Sequence, residues 1–234
     1  LSEFRARIKR SDIKPLFVHI PYLVNLASPS NKLFYESIKA YIEDMREAGS
    51  LGASYLVTHM GSHKKSGEKR GLKRLIRGIN RILDSTKDTG VGILLENTSG
   101  SGSWLGYKFI HQAQIIHSAI QQGRLGLCLD TCHAYSAGYD IATEEGLEKV
   151  LSEIDSLIGL NKLKLIHLND TKDKLGSHYD RHEHIGKGKI GLEGFARIIR
   201  HPRLKNMPFI LETPKMGGEE DRKNLAVVRR LWEG

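Results

Sequence analysis

The sequence contains very little cysteine and no long apolar segment. Its two cysteines, Cys128 and Cys132, do not form the pattern of a disulfide framework, and this is consistent with a reducing cytoplasm. No apolar run approaches the ~20 residues that a membrane-spanning helix needs, and no signal-peptide pattern is present. These scarcities argue against a disulfide-stabilised secreted protein and against a membrane protein, so we expect a cytoplasmic globular protein.

The composition is that of an ordinary globular chain with a basic bias. Hydrophobic residues make up 39% of the 234 residues and charged residues 27%, and the chain is long enough to bury one large core. We therefore predict a single domain that covers residues 1–234. The formal net charge of +9 favours a polyanionic partner, and the eleven histidines raise the expectation of a metal site.

Short apolar segments alternate with helical patterns, which is typical of a parallel α/β protein. Six predicted strands cover residues 16–20, 54–59, 91–96, 126–130, 163–168 and 208–212. A His, Asp or Glu lies at or next to the C-terminal end of each strand, which is where TIM barrels carry their chemistry. We predict a TIM (β/α)8-type barrel. Because only six strands are found, we expect that its first two strands are missing from this chain.

The most informative stretch is Gly126-Leu-Cys-Leu-Asp-Thr-Cys-His-Ala-Tyr-Ser-Ala-Gly-Tyr-Asp140. It begins as a buried strand that ends in the carboxylate of Asp130, and His133 follows three residues later. We expect a glycine-punctuated polar loop after this strand. Asp130 and His133 lie on either side of the strand end, so they can point at different metal centres.

Imidazole and carboxylate groups without paired thiolates suit a catalytic site for Zn²⁺, Mn²⁺ or Fe²⁺. A polar loop after the fifth strand adds Asp180 and His182, which lie on one side of an extended segment. With these two, the candidate ligands are His19, His59, Glu96, Asp130, His133, His167, Asp180, His182 and Glu212. Nine ligands are too many for one ion and suit about three. Cys128 and Cys132 are less favoured, because small buried thiols usually pack in cores.

A cluster of divalent ions has a chemistry of its own. It generates hydroxide near neutral pH and can hold the oxygens of a phosphodiester during an in-line displacement. The residue types are therefore compatible with phosphodiester hydrolysis, and the basic net charge favours a polyanionic partner.

The motifs resemble those of the endonuclease IV family of apurinic/apyrimidinic endonucleases. The matching segments are residues 126–140, His167-Leu-Asn-Asp170, Gly176-Ser-His-Tyr-Asp-Arg-His-Glu-His-Ile-Gly-Lys-Gly188, His59-Met-Gly-Ser-His63, Glu96-Asn-Thr98 and Leu211-Glu-Thr213. The resemblance extends from about Leu16 to Thr213, and it is highly specific.

This resemblance implies three zinc ions per chain, with Mn²⁺ as the alternative metal. The nine ligands would divide among the ions as His19, His59 and Glu96 for the first, Asp130, His167 and Glu212 for the second, and His133, Asp180 and His182 for the third. Glu96 would also bridge the first two ions. Glu96 and Glu212 would be the catalytic carboxylates.

Two features of the resemblance concern DNA. Tyr22 and Leu23 match the family's wedge positions, where an aromatic and an aliphatic side chain would fill the gap left by a missing base. Ordinary loop packing is the alternative for both residues. The family's first two strands, whose loops help to grip the minor groove and supply an arginine near the lesion, are absent here, and Met60 replaces a proline.

We therefore expect a monomeric, zinc-dependent DNA repair endonuclease of base excision repair. It would hydrolyse the phosphodiester 5′ to an abasic site in double-stranded DNA, leaving a 3′-hydroxyl and a 5′-deoxyribose phosphate. A sugar isomerase or epimerase on a related barrel is the first alternative, with one ion held by Glu96, Asp130, His167 and Glu212. The five further ligand positions and the net charge of +9 argue against it. The second alternative is a non-catalytic damaged-DNA binding module.

Overall fold

The computed structural model describes residues 1–11, 13–21, 23–215 and 217–234. Its strands are β1 Phe17–His19, β2 Tyr55–His59, β3 Gly92–Glu96, β4 Leu125–Asp130, β5 Leu163–His167, β6 Asp170–Thr171, β7 His182–Glu183 and β8 Phe209–Ile210. Its helices are α1 Ser2–Arg10, α2 Asn31–Leu51, α3 Glu68–Ser85, α4 Phe109–Ser118, α5 Thr131–Ala137, α6 Glu144–Leu157, α7 Gly191–Arg200 and α8 Glu220–Glu233. None of the helices within these ranges is long and apolar enough to cross a lipid bilayer.

The chain forms two compact units. The first comprises Leu1–Glu96, Ser103–Leu105 and His111–Gly126, and the second comprises Asn97–Gly102, Gly106–Ile110 and Leu127–Gly234. The interpretation of residues 1–234 as a single domain stays a prediction.

The first unit carries three parallel strands. β1 pairs with β2, and β2 pairs with β3, where His59 lies opposite Glu96. Helix α2 connects β1 to β2, and α3 connects β2 to β3, which is the repeated βα unit expected from the sequence. Because parallel strands end at the same edge of a sheet, the register places the ligand-type residues of β2 and β3 side by side.

Helix α2 shows how the sequence defines these connections. The Ser30 hydroxyl caps its first turn by accepting a hydrogen bond from the Leu33 N–H, and Gly52 ends the helix in the left-handed conformation at φ 82°. Its buried face carries apolar residues at helical spacing, namely Phe34, Ile38, Tyr41 and Met45. This face covers the sheet, while polar residues of the helix face solvent.

The second unit carries a parallel set and a small hairpin. β4 pairs with β5 so that Asp130 lies opposite His167, and β5 pairs with β8 so that His167 lies opposite Ile210. The hairpin strands β6 and β7 pair in antiparallel fashion, with Thr171 opposite His182. This hairpin returns the polar loop after β5 to the strand ends.

The six predicted parallel strands are all present, as β1 to β5 and β8. The predicted loop after Asp130 is wrong, because helix α5 begins at Thr131. Asp130 caps this helix by accepting a 2.7 Å hydrogen bond from the His133 N–H, and Gly138 ends it at φ 105°. The strand end is therefore also a helix start, and Asp130 belongs to both.

Candidate metal centres

The first group consists of His19, His59 and Glu96, which end β1, β2 and β3. Glu96 Oε2 lies 3.0 Å from Nε2 of His19 and 3.0 Å from Nε2 of His59. One ligand atom from each residue lies within 4.8 Å of the others. The His19 Nδ1–H donates to the Ile20 carbonyl at 2.8 Å, so the ring presents Nε2 to the carboxylate.

The second group consists of Asp130, His167 and Glu212. His167 Nδ1 lies 3.2 Å from Glu212 Oε2 and 4.0 Å from Asp130 Oδ2. Again the three ligand atoms lie within 4.8 Å of one another. Asp130 is fully buried, whereas the Glu212 side chain is 35% exposed. The group is thus accessible to solvent on the Glu212 side.

The third group consists of His133 on α5, Asp180 in the loop between β6 and β7, and His182 on β7. Asp180 Oδ1 lies 3.1 Å from His133 Nε2 and 3.3 Å from His182 Nε2. The His133 Nδ1–H donates to the Asn97 carbonyl at 3.0 Å, and the His182 Nδ1–H donates to the Glu212 carbonyl at 2.9 Å. Both rings therefore direct Nε2 toward the same carboxylate oxygen.

The residues of these groups fit divalent metal ions. A ring that donates Nδ1–H to a carbonyl keeps an unprotonated Nε2 in its neutral form, and that nitrogen is the usual metal ligand. In the first and third groups, the separations of 3.0 to 3.3 Å between ligand atoms are close to the roughly 3.3 Å that a tetrahedral ion with bonds of about 2.0 Å would impose. Nε2 of His182 is buried and has no hydrogen-bond partner among the described residues. A metal ion would satisfy this nitrogen.

Two asparagines that the sequence reasoning missed support the second and third groups. The Asn97 side chain holds the backbone of Asp130, accepting from its N–H at 2.7 Å and donating to its carbonyl at 3.0 Å. Asn169 lies between Asp130 and Glu212 and bonds to both. Their sequence position could have identified them, because Asn97 directly follows Glu96 and Asn169 follows His167 by two residues.

Both cysteines are buried, and they do not form a disulfide with each other. Burial raises the pKa of Cys132 to about 12, and the charge of Asp130 adds to this effect. The sulfur lies within 4.8 Å of ligand atoms of Asp130 and His182. The full burial of Cys132 is consistent with the packing interpretation, since small buried thiols usually pack in cores.

The two predicted wedge residues have different outcomes. Tyr22 lies outside the described residues. Leu23 is 88% exposed, which leaves its side chain available for contact with a partner. Its role as a wedge stays a prediction, as do the nine ligand assignments.

The chain is similar to proteins of a known family. A family model described as xylose isomerase-like TIM barrel matches residues 1–231. A relative from Methanoculleus marisnigri named "Probable endonuclease 4" is 43% identical over 97% of this chain and 81% of its own length. The crystal structure of endonuclease IV from Thermus thermophilus is 39% identical, with a TM-score of 0.85 over 99% of this chain and 81% of that one.

A second solved structure shows how widely the fold is shared. A D-tagatose 3-epimerase-like protein matches 99% of this chain and 82% of its own with a TM-score of 0.76, but at 19% identity it supports the fold alone. The predicted TIM-barrel class is confirmed by the family model and by these structures. At this level of identity and coverage, the chain belongs to the endonuclease IV family and is a hydrolase of the endonuclease class.

Proposed function

We propose that the chain is a zinc-dependent DNA repair endonuclease that hydrolyses the phosphodiester 5′ to an abasic site. It would leave a 3′-hydroxyl and a 5′-deoxyribose phosphate, as in base excision repair. The observation that supports this proposal is that the nine candidate ligands fall into three groups, each with its ligand atoms within 4.8 Å of one another. The name endonuclease 4 among the relatives supports the same reaction class.

Each group is anionic before a cation binds. The first and third groups combine one carboxylate with two imidazoles, and the second combines two carboxylates with one imidazole. Such groups would repel a phosphodiester. Zinc, when bound, would reverse the local charge and supply a coordinated hydroxide near neutral pH.

The residues of the chain have distinct tasks in this proposal. Backbone carbonyls fix the rings of His19, His133 and His182 with Nε2 available for zinc. Glu212, the most exposed member of the second group, would face the substrate and keep the attacking oxygen in place. The bridging role of Glu96 stays a prediction from the family resemblance.

Substrate selection would use the flexibility of the lesion. An abasic site has already lost its pairing and part of its stacking, so moving it out of the duplex costs little free energy. The exposed side chain of Leu23, together with Tyr22, would occupy the space that the missing base leaves.

Metal counting and a cleavage assay test the proposal together. We expect elemental analysis of zinc-loaded protein to find about three ions per chain, since nine ligands serve three tetrahedral to five-coordinate sites. A labelled duplex with one abasic site should be cut on its 5′ side, to give a 3′ end that a polymerase extends. An intact duplex is the control. One ion per chain together with epimerisation of a ketose would instead support the sugar-epimerase alternative.

Glu212→Gln separates binding from chemistry. The amide is nearly isosteric but is a poorer metal ligand, so single-turnover cleavage should fall by about 10²-fold while affinity for abasic duplex changes by several-fold at most. Glu219→Gln is the matched control, because that glutamate is 61% exposed and pairs with Arg222. A folded Glu212→Gln protein that cuts at the wild-type rate would contradict the assignment of Glu212.

A further inference from the structure

Asn169 connects two members of the second group through the two ends of one amide. Its Nδ2 donates to Asp130 Oδ2 at 2.6 Å, and its Oδ1 accepts from the Glu212 N–H at 2.7 Å. Asn169 is fully buried. The orientation of the amide is unambiguous, because a carboxylate only accepts and a backbone N–H only donates.

The backbone of Asn169 is fixed as well. Its N–H donates to Thr131 Oγ1 at 2.8 Å, and the Thr131 hydroxyl donates to the Asn169 carbonyl at 2.7 Å. Thr131 directly follows Asp130 and opens helix α5. The amide is therefore anchored to the same chain turn that carries one of the carboxylates it holds.

The side-chain amide of Asn97 also lies near this group, but its role is different. The Asn97 side chain bonds to the N–H and the carbonyl of Asp130, so it fixes the main chain of that residue rather than its carboxylate. The Asp130 carboxylate is oriented by the His133 N–H at Oδ1 and by Asn169 at Oδ2. The Asn169 side chain also bonds to a second carboxylate-bearing residue, Glu212.

We propose that Asn169 is a positioning residue that holds Asp130 and Glu212 at the spacing one metal ion requires. The inference rests on the proposed function. Without the amide, the carboxylate of Asp130 and the chain at Glu212 would have to be ordered when the ion binds, and that ordering opposes binding. Loss of a residue that orients metal ligands typically costs 10- to 100-fold in metal affinity.

The test measures zinc binding rather than cleavage. Zn²⁺ affinities of wild-type protein and Asn169→Ala are determined by competition with a chromophoric chelator, with ions per chain counted by elemental analysis. We expect one ion to bind at least ~10-fold more weakly and the others to stay within about twofold of wild type. Asn224→Ala is the matched control, because Asn224 is a buried asparagine bonded to Thr213, Glu220 and Ile185, outside the nine candidate ligands.

Double substitutions identify which ion is affected. Asn169→Ala and Glu212→Gln act on the same group, so their effects on zinc affinity should be non-additive. Asn169→Ala and His19→Ala act on the second and the first group, respectively, and should be additive. Unchanged zinc affinities in Asn169→Ala would overturn the proposal, and so would an equal weakening of every ion, which indicates a general loss of stability.

Asn169→Asp covers the case in which the alanine variant does not fold. It keeps the acceptor for the Glu212 N–H and places an oxygen where Asp130 Oδ2 needs a donor. Positioning predicts weaker binding of one ion, whereas a purely electrostatic role predicts unchanged or tighter binding, and that result would overturn the proposal. Wild-type protein that binds a single ion would refute the proposed function, and the effect of Asn169→Ala on that ion would still test this inference.

Discussion

Backbone carbonyls accept from the Nδ1–H of three of the candidate histidines. His19 donates to the Ile20 carbonyl, and His182 donates to the carbonyl of Glu212. A carbonyl does not titrate, so the acceptor at Nδ1 stays the same as the pH changes. Because Glu212 also belongs to the second group, its main chain serves the third group while its side chain serves the second.

His182→Ala should remove the third ion selectively. Its Nε2 lies 3.3 Å from Asp180 and its removal leaves only His133 and Asp180, which are too few ligands for tight binding. Elemental analysis should find about two ions per chain instead of about three. His184→Ala is the matched control, since that ring bonds to Asn224 and is outside the three groups. Three retained ions in His182→Ala would contradict the third group.

Leu23→Ala tests the wedge. If Leu23 fills the space of the missing base, the substitution should reduce the preference for abasic over intact duplex by about tenfold, the scale of 1 to 2 kcal/mol from one buried aliphatic side chain. Ile120→Ala is the control, because Ile120 is also an exposed aliphatic residue, at 62%. Gel-shift affinities for both duplexes give the ratio. An equal loss of affinity on both duplexes would indicate general surface contact instead.

At the scale of elements, the parallel strands were predictable and the short elements between them were not. Most of β3 is an unbroken apolar run, and such a run predicts a buried strand without knowledge of its packing partners. The hairpin strands β6 and β7 are two residues long, too short for any alternation to be read. Helix α5 is seven residues long, and its cap, Asp130, was interpreted only as a ligand.

The same limit explains which site residues could be predicted. Histidine and carboxylate side chains are common metal ligands, so their position at the ends of predicted strands is enough to identify them as candidates. Asn169 carries no such sign, because its two partners lie far from it in sequence and are visible only in the folded chain. The grouping of ligands likewise depended on the family resemblance, since strand register and hairpin geometry decide which residues meet.

Asp170 organises the loop that follows β7. Its fully buried carboxylate accepts backbone N–H groups from Thr171, Gly186, Gly188 and Ile190 at 2.8 to 3.0 Å. Gly188 approaches so closely that a Cβ there would lie 2.5 Å from Asp170 Oδ1. Gly186 and Gly188 thus direct their backbone N–H groups to an internal carboxylate.

Asp170→Asn should therefore destabilise the protein. The amide keeps one acceptor oxygen and turns a donor toward backbone N–H groups, which leaves at least one or two of them unsatisfied at about 1 to 3 kcal/mol each. Urea unfolding of zinc-loaded protein should show a loss of about 2 to 5 kcal/mol. Asp84→Asn, at an exposed position of α3, should stay within about 0.5 kcal/mol of wild type. If Asp170→Asn and wild type were equally stable, the amide would be satisfying the backbone N–H groups of the loop, which would contradict this prediction.

In the whole molecule, some of the positively charged side chains make contacts that stabilise the fold. Helix α3 carries the basic residues Lys69, Arg70, Lys73, Arg74, Arg77 and Arg81. Two of them pack over aromatic rings, Arg74 at 4.4 Å from the centre of Phe34 and Arg81 at 5.4 Å from that of Tyr35. Lys73 and Arg77 are exposed and remain available for phosphate. The total of 36 Lys and Arg residues therefore overstates the number of cations that can contact DNA.

Salt should weaken binding to abasic and intact duplex in parallel. Lys and Arg contacts to phosphates release counterions, and about six such contacts would lower affinity by about 10³-fold between 50 and 200 mM salt. The phosphates are the same in both duplexes, so the two salt slopes should agree while the ratio of affinities, which depends on the missing base, stays constant. Gel shifts over a KCl series, with zinc counted at both ends, provide the measurement. A ratio that falls steeply with salt would mean that charge, rather than the space left by the base, selects the lesion.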